Sequence, residues 1–390
     1  MRILVANDGA NDAGGVQTYL DAVLEPLEAR GHEVALVSSE LDNTGAARWP
    51  RFRVHGTTLG RDLEPIRQWR PDVCYSHNMR DLAVDAGLMT AAPVVKFMHG
   101  YFGTCIGGLK MHAFPTPVAC ERAFGAACAA LYFPRRCGRL NPAAMLRDLK
   151  WGVSQRELFS GYAAVVVASG HMSREYARNG VAASRIHTNP LFPTRLVEPA
   201  VRRMPAEPHV VFLGRMTPLK GGDLLIRAVA HASSRLRREV RLTMIGDGPE
   251  RTGWESLAAR LSVRATFTGW LVGEDRWPHM AGASVLGMSS VWPEPFGLVG
   301  LEAAALGVPA ISTDTGGIRE WLQDGVGGVL VPSPASASSF GDRLAALLSD
   351  PARLAALGAG ALSRAQEMSV EAHVERLSAV LQSAKRGANG

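Results

Sequence analysis

No apolar run in this chain approaches the roughly 18–20 residues that a membrane span requires. The first residues, Met1-Arg2-Ile3-Leu4-Val5-Ala6, reach Asn7-Asp8 at once, too soon for the apolar stretch and cleavage site of a signal peptide. The expectation is a cytoplasmic protein, at most lying at the inner face of a membrane. Charge of one sign is also scarce. The net charge is +6 over 390 residues, which gives no reason to expect nucleic acid as a partner. Cysteine is sparse, and no C-x-x-C pair occurs. That leaves only a weak signal for a structural metal, with unpaired thiols favoured, and a reducing cytosol leaves disulfides unexpected. Cys105, Cys120, Cys128 and Cys137 crowd into one stretch with no role the sequence can assign, whereas Cys74 falls in a strand-like run and reads as a core thiol.

What is present is a soluble, globular composition with 47% apolar and 20% charged residues, long enough for two domains. Strand-like runs alternate with helical ones, the pattern of parallel sheets covered on both faces. In the first half the strand candidates are Ile3–Ala6, Val34–Val37, Val73–Tyr75, Val94–Met98 and Ala163–Ala168. Val16, Leu20, Val23, Leu24 and Leu27 have the spacing of one helix face, and Gly31 ends that helix. A Cys-, Gly- and Pro-rich stretch from about 100 to 142 has no clear period and reads as a functional or mobile insertion. From Glu121 to Arg156 seven basic residues stand against two acidic ones, either a solvated face or one turned to an anionic membrane or acceptor.

Asn189-Pro190 to Pro208 reads as a linker. The second block has strand candidates at Val210–Leu213, Leu242–Ile245, Ala265–Thr268, Val285–Met288, Ala310–Ser312 and Val329–Val331. The expected domains are residues 1–195, residues 205–370 and a final helix in 371–390 that packs on one of them.

Candidate chemistry sits where strands hand over to helices. Gly9-Ala10-Asn11-Asp12-Ala13-Gly14-Gly15 follows the first strand and is either a phosphate-facing loop or a tight turn. It is not G-x-G-x-x-G, and Ser38-Ser39-Glu40 is a poor ribose-binding end to the second strand, so a dinucleotide oxidoreductase is disfavoured. In Gly214-Arg215-Met216-Thr217-Pro218-Leu219-Lys220-Gly221, two cations flank a loop at the carboxyl edge of a sheet. Arg holds phosphate through two hydrogen bonds and Lys adds a point charge. The strongest signal is Trp292 to Ala303. Glu294 precedes a helix start formed by Phe296, Gly297, Leu298 and Val299, and Glu302 lies about one turn inside it. Two carboxylates thus flank a helix tip suited to an anion. The pair by itself would also suit glycoside hydrolysis, but the cations beside it fit a phosphorylated donor better.

These motifs, with Gly246-Asp247-Gly248-Pro249 between them, occur in an order that resembles the retaining glycosyltransferases of family four. The resemblance implies a GT-B fold, two Rossmann-like α/β domains facing each other across a deep cleft. It implies that Arg215 and Lys220 hold the donor diphosphate, Glu294 the transferred sugar and Glu302 the ribose. The Phe296, Gly297, Leu298 and Val299 segment would meet phosphates and sugar. Gly14 and Gly15 would approach the donor from the first domain, together with Gly214 in the second. Gly246, Gly248, Trp270 and Leu271 would border the base, and His99, after the Val94–Met98 strand, would lie near the sugar. His77, at another strand end, is read evenly as acceptor-side or structural, and Gly316-Gly317 as donor-facing or a turn. Asn189-Pro190 stands where the family usually has an Asn-Gly-like turn.

The implied reaction moves a hexosyl or N-acetylhexosaminyl group from a nucleoside-diphosphate sugar to a hydroxyl, with retention and with no metal or other cofactor. A UDP-sugar is favoured over a GDP-sugar. The acceptor is an unidentified glycan, lipid-linked saccharide or small molecule. The rival readings are a nucleotide-sugar epimerase of similar fold and a non-catalytic nucleotide-sugar-binding module.

Overall fold

The computed structural model describes residues 1–8, 15–39, 48–195, 205–271 and 273–387. The chain divides into two compact units: Met1–Lys110, Glu121–Thr194 and Val370–Gly390 in unit 1, and Met111–Cys120 with Arg195–Ser369 in unit 2. This division departs from the sequence reading in one place, because Met111–Cys120, from the middle of the expected insertion, groups with unit 2.

Unit 1 carries β1 (Arg2–Ala6), β2 (Glu33–Ser38), β3 (Arg51–Arg53), β4 (Val73–Ser76) and β5 (Val94–Met98). The antiparallel pair β6 (Met111–His112) and β7 (Val118–Ala119) comes next in the chain, followed by β8 (Ala164–Val167) and β9 (Ile186–Thr188). The unit 1 sheet runs in the order β3-β2-β1-β4-β5-β8-β9, and every pairing is parallel. Its helices are α1 (Gly15–Ala29), α2 (Leu59–Trp69), α3 (Leu82–Leu88), α4 (Ala126–Leu131), α5 (Pro142–Glu157) and α6 (Gly170–Arg178). Strands buried on both faces read as continuous apolar runs, which is why β1, β5 and β8 stood out in the sequence. The three-residue edges β3 and β9 did not, because half-exposed edge strands have no apolar run to show.

Unit 2 repeats the plan with β10 (His209–Leu213), β11 (Arg241–Ile245), β12 (Ala265–Gly269), β13 (Val285–Met288), β14 (Ala310–Asp314) and β15 (Gly328–Pro332). The order is β12-β11-β10-β13-β14-β15, again wholly parallel. Helices α7 (Gly222–Leu236), α8 (Arg251–Arg260), α9 (Arg276–Ala281), α10 (Leu298–Ala305), α11 (Ala337–Leu348) and α12 (Pro351–Glu367) cover it. Val210, Leu225, Leu242, Val285 and Phe340 are among its fully buried core residues. The last helix, α13 (Val370–Gly387), belongs to unit 1.

Several polar groups in unit 1 are buried together with their partners. Lys96 Nζ lies 2.5 Å from Asp85 Oδ2 and 3.0 Å from Ser76 Oγ, and the Tyr162 hydroxyl donates to the same carboxylate oxygen at 2.9 Å. Helix α13 is held by a second network. His373 Nδ1 lies 2.8 Å from the Pro190 carbonyl oxygen, which can only accept, so Nδ1 carries the proton. Nε2 then accepts from the Tyr19 hydroxyl at 2.8 Å, and Tyr19 in turn accepts from Tyr75 at 2.6 Å. Asn189 donates to the His373 carbonyl at 3.1 Å and accepts from Arg376 Nε at 2.9 Å. Asn189, expected to open a linker, is therefore a buried anchor for α13.

The cysteines expected to be unpaired are free thiols. Among the described residues no cluster of His, Cys, Asp and Glu is placed to hold a metal, and no helix is long and apolar enough to cross a membrane.

Burial pushes His373 from its free value of 6.5 down to about 4. Between those two values the unfolded chain takes up a proton that the native state refuses, so stability falls as pH falls. Urea unfolding of the wild type and His373→Gln should show the variant weaker at neutral pH by about 1–3 kcal/mol, because the buried Tyr19 hydroxyl loses its acceptor. The gap should shrink as the pH drops from 6.5 toward about 4. A gap that stays constant with pH would contradict a buried neutral His373.

Candidate active site

In unit 2, β10 and β13 are neighbours although two strands separate them in the chain. Strand order runs outward from this pair in both directions, so the loops that follow β10 and β13 turn opposite ways and leave a crevice at their carboxyl ends, the usual ligand position in open α/β sheets. Arg215, Lys220, Glu294 and Glu302 all lie on these two loops or in the helix after β13.

The loops are locked to one another through backbone. Met216 N donates to Asp247 O at 2.7 Å and Gly214 N to Ile245 O at 3.0 Å. The approach is so close that a Cβ on Gly246 would lie 2.1 Å from the Gly214 carbonyl oxygen, and one on Gly248 2.4 Å from that of Met216. Gly246 and Gly248, expected to border the base, are thus glycine because they clasp the loop that carries Arg215. On the other side Val291 N donates to Leu219 O at 2.9 Å, and the Ser289 hydroxyl to the Gly221 carbonyl at 2.7 Å.

Across this clasp Lys220 Nζ reaches Glu294 Oε1 at 2.7 Å. Ser290 Oγ donates to the same oxygen. Oε2 of Glu294 makes no hydrogen bond among the described residues, although the residue is almost wholly buried. Arg215 is exposed, and its side chain forms no hydrogen bond or ion pair among the described residues. Helices α7 and α10 both start on left-handed glycines, Gly221 and Gly297, with no capping side chain. Other helices take a side-chain cap, α3 from Asp81, α5 from Asn141, α6 from Ser169, α11 from Ser336 and α12 from Asp350, whereas α2, α4, α8 and α9 also lack one. The first amides of α10, from Leu298 and Val299, are therefore not taken by a side-chain cap and suit an anion. Phe296 is buried, and its carbonyl accepts from Trp321 Nε1 at 2.8 Å.

Glu302 lies in the second turn of α10, with Oε1 2.9 Å from Arg276 Nη2. The Arg276 guanidinium stacks 4.4 Å above the Trp277 ring. Trp270 follows β12 with 57% of its surface exposed, and Leu271 beside it is half-buried.

In unit 1, Gly14 and the loop before it lie outside the described residues, and Gly15 is the first residue of α1. His99 follows β5. Its Nε2 lies 2.9 Å from Nδ1 of His77, which is fully buried with Nε2 unpartnered. Phe97 stacks on His99 at 4.4 Å. Burial, assisted by the charge of Lys96, pushes His99 down to about 3, so it is neutral at neutral pH. Burial also lowers His77, with His99 as the next cause. A cavity of about 650 Å³, also in unit 1, is lined by Phe124, Leu149, Val153 and Arg156 among others and contains none of the sequence candidates.

Sequence reasoning missed Arg276 and Ser290, because a contact across a fold leaves no spacing signal. It left Gly316-Gly317 open. Gly316 has φ +62°, and a Cβ there would lie 2.2 Å from the Glu294 carbonyl oxygen, while Gly317 N donates to that oxygen at 2.7 Å. The turn after β14 is the backstop of the Glu294 loop.

Residues 13–191 match the family described as Glycosyltransferase Family 4, and residues 207–350 match Glycosyl transferases group 1. D-inositol 3-phosphate glycosyltransferase 1 of Catenulispora acidiphila is 33% identical over 59% of this chain and 61% of its own length. The D-inositol 3-phosphate glycosyltransferase of Segniliparus rotundus is 35% identical over 47% of this chain and only 41% of its own length. The chain thus spans less than two thirds of these relatives. A GDP-mannose-dependent alpha-(1-6)-phosphatidylinositol monomannoside mannosyltransferase of Mycolicibacterium smegmatis is 29% identical over 91% of both chains. Among solved structures, sucrose-phosphate synthase of Thermosynechococcus elongatus has a TM-score of 0.72 at 20% identity, covering all of both chains. Anabaena HepE in complex with UDP and glucose has a TM-score of 0.70 at 18% identity, over 98% of this chain and 100% of that one. The fold is GT-B.

Gly316→Ala should cost unit 2 about 2–4 kcal/mol, from left-handed strain plus a backbone clash. Gly325, with φ +77° and nothing within 4 Å of an added Cβ, bears the strain alone. Its alanine variant should lose only about 1–2 kcal/mol. Equal losses in thermal unfolding would show that the turn does not buttress Glu294.

Proposed function

This chain belongs to glycosyltransferase family 4, and from that premise we propose that it transfers a sugar from a nucleoside-diphosphate sugar to an acceptor hydroxyl with retention at the anomeric carbon. The observation that carries this reading is the pairing of Lys220 with Glu294 at 2.7 Å beside the uncapped start of α10. A cation, an anion-binding helix tip and a carboxylate oxygen free to accept from a hydroxyl converge there.

In this reading Arg215, Lys220 and the α10 amides bind the diphosphate. They offset the charge it gains on departure, a role that a divalent ion fills in other transferases. Glu294 Oε2 accepts from a hydroxyl of the transferred hexosyl or N-acetylhexosaminyl group. Glu302, oriented by Arg276, accepts from the ribose hydroxyls. Trp270 offers an exposed aromatic face for the base. His99 is neutral, so its contribution to the sugar is a hydrogen bond rather than a charge. The acceptor oxygen bonds to the anomeric carbon on the face from which phosphate leaves. The carbon–phosphate-oxygen bond breaks, and the hydroxyl proton passes to the departing phosphate oxygen. The products are a glycoside and a nucleoside diphosphate.

A UDP-sugar is the first donor to test. The HepE structure holds UDP, and the mycobacterial relative is named for GDP-mannose. The relatives' names point to inositol phosphate and phosphatidylinositol mannoside acceptors, both polyols that carry phosphate. A glycan, lipid-linked or small-molecule acceptor of this chemistry fits the reading.

Thermal shifts with UDP, GDP, ADP and dTDP and their sugars should single out one nucleotide. Arg276→Ala should weaken that nucleotide about tenfold to a hundredfold, through loss of a charged hydrogen bond that aims Glu302. Lys220→Ala and Arg215→Ala should each lower kcat by about 10²–10³. NMR of the product should show a retained anomer. An inverted product, or sugar released as an epimer with no acceptor present, would defeat the proposal.

A further inference from the structure

Unit 1 exposes its large apolar side chains within one stretch of the chain, between Phe102 and Val153. Among its described residues these are Phe102, Phe133, Leu140, Leu146 and Val153, with Leu140 62% and Leu146 59% exposed. Helix α5 buries Ala144, Gly152 and Gln155. On the opposite side Leu146, Lys150 and Val153 follow one another at i, i+4 and i+7, with Arg147 adjacent and Glu157 one turn further on. The segment leading into α5 exposes Arg135, Arg136, Arg139 and Leu140. The acids nearest in sequence are Glu121, Asp148 and Glu157, and Asp148 already lies 3.5 Å from Arg147. Among the described residues Arg135, Arg139 and Lys150 form no ion pair.

We propose that the outward face of α5 and the 133–140 segment dock unit 1 onto an anionic lipid bilayer. A helix whose exposed face interleaves leucine and valine with lysine and arginine is unfavourable in water, because isolated apolar groups stay hydrated. It is favourable at an interface, where Leu140, Leu146 and Val153 enter the acyl boundary and the cations meet phosphate headgroups. Lys150 stands in the middle of the face, and lysine is depleted from protein–protein interfaces. No described helix is able to span the bilayer, so attachment is peripheral and reversible. The bilayer is charge-complementary to the surplus of basic over acidic residues from Glu121 to Arg156. The inference does not depend on the transfer reading, and its test requires no turnover.

Flotation of the full chain with vesicles of phosphatidylglycerol and phosphatidylcholine in equal parts tests it at about 0.1 M salt. The protein should float with these vesicles, stay behind with pure phosphatidylcholine, and be released as salt is raised. Combined Arg135→Ala, Arg139→Ala and Lys150→Ala should weaken partitioning about fivefold per charge, near a hundredfold in all. Leu146→Ser with Val153→Ser should also weaken it, and hydrogen exchange in α5 should slow on vesicles in the wild type alone. Leu261→Ser, at an exposed residue of unit 2, should change nothing. All these positions are exposed, so unfolding does not confuse the result, and nucleotide-induced thermal shifts check unit 2 separately. Failure to float with anionic vesicles, or equal flotation of the variants, overturns the proposal. Retention on an acidic protein but not on vesicles would also overturn it and assign the face to a protein partner.

Discussion

The site in unit 2 depends on backbone touching backbone at one sheet edge. The loops after β10, β11, β13 and β14 approach so closely that added methyl groups at Gly246, Gly248 and Gly316 would fall within 2.4 Å of a carbonyl oxygen. Because each contact fixes a carbonyl or an amide rather than a flexible side chain, the positions of Arg215, Lys220 and Glu294 follow from the sheet itself. A ligand site held this way loses little conformational entropy on binding, since the positions are already set.

The electrostatics of the two units differ in kind. Unit 2 gathers charge at a surface where helix starts lack side-chain caps and the Arg215 side chain forms no hydrogen bond or ion pair among the described residues. Unit 1 buries its charges as satisfied pairs, Lys96 with Asp85 and Lys110 with Glu175. Removing one member of such a pair is costly because the other is left uncompensated. His77 and His373 are likewise buried, and burial lowers the pKa of both; His373 ties α13 to Tyr19 and Asn189, and His77 is placed against His99. The first arrangement is ready for an anion. The second gives rigidity.

Much of the architecture was legible because the strands of a doubly covered parallel sheet have to be apolar throughout. The runs Val94–Met98 and Val285–Met288 were read to the residue, and β1 and β10 to within one. The misses have a shared cause. β3 and β9 are three-residue edges, and the 100–142 stretch folds into elements as short as β6, β7 and α4, none long enough to display a period. Asn189 looked like linker because its partners, His373 and Arg376, lie more than 180 residues away.

The sequence by itself determined the order of strands and helices, the glycines at the turns, and which cations and carboxylates stand at the ends of the strands. Those features are local, and local periodicity and turn chemistry reveal them. Only the tertiary structure decided which of those groups meet. Lys220 and Glu294 are 74 residues apart in the chain, and Arg276 and Glu302 are 26 apart. The crossing of strand order between β10 and β13 brings the first pair together, and the second is a side-chain contact from α9 to α10. No spacing in a linear sequence encodes such a contact, because its distance is set by the sheet between the residues rather than by the chain that joins them.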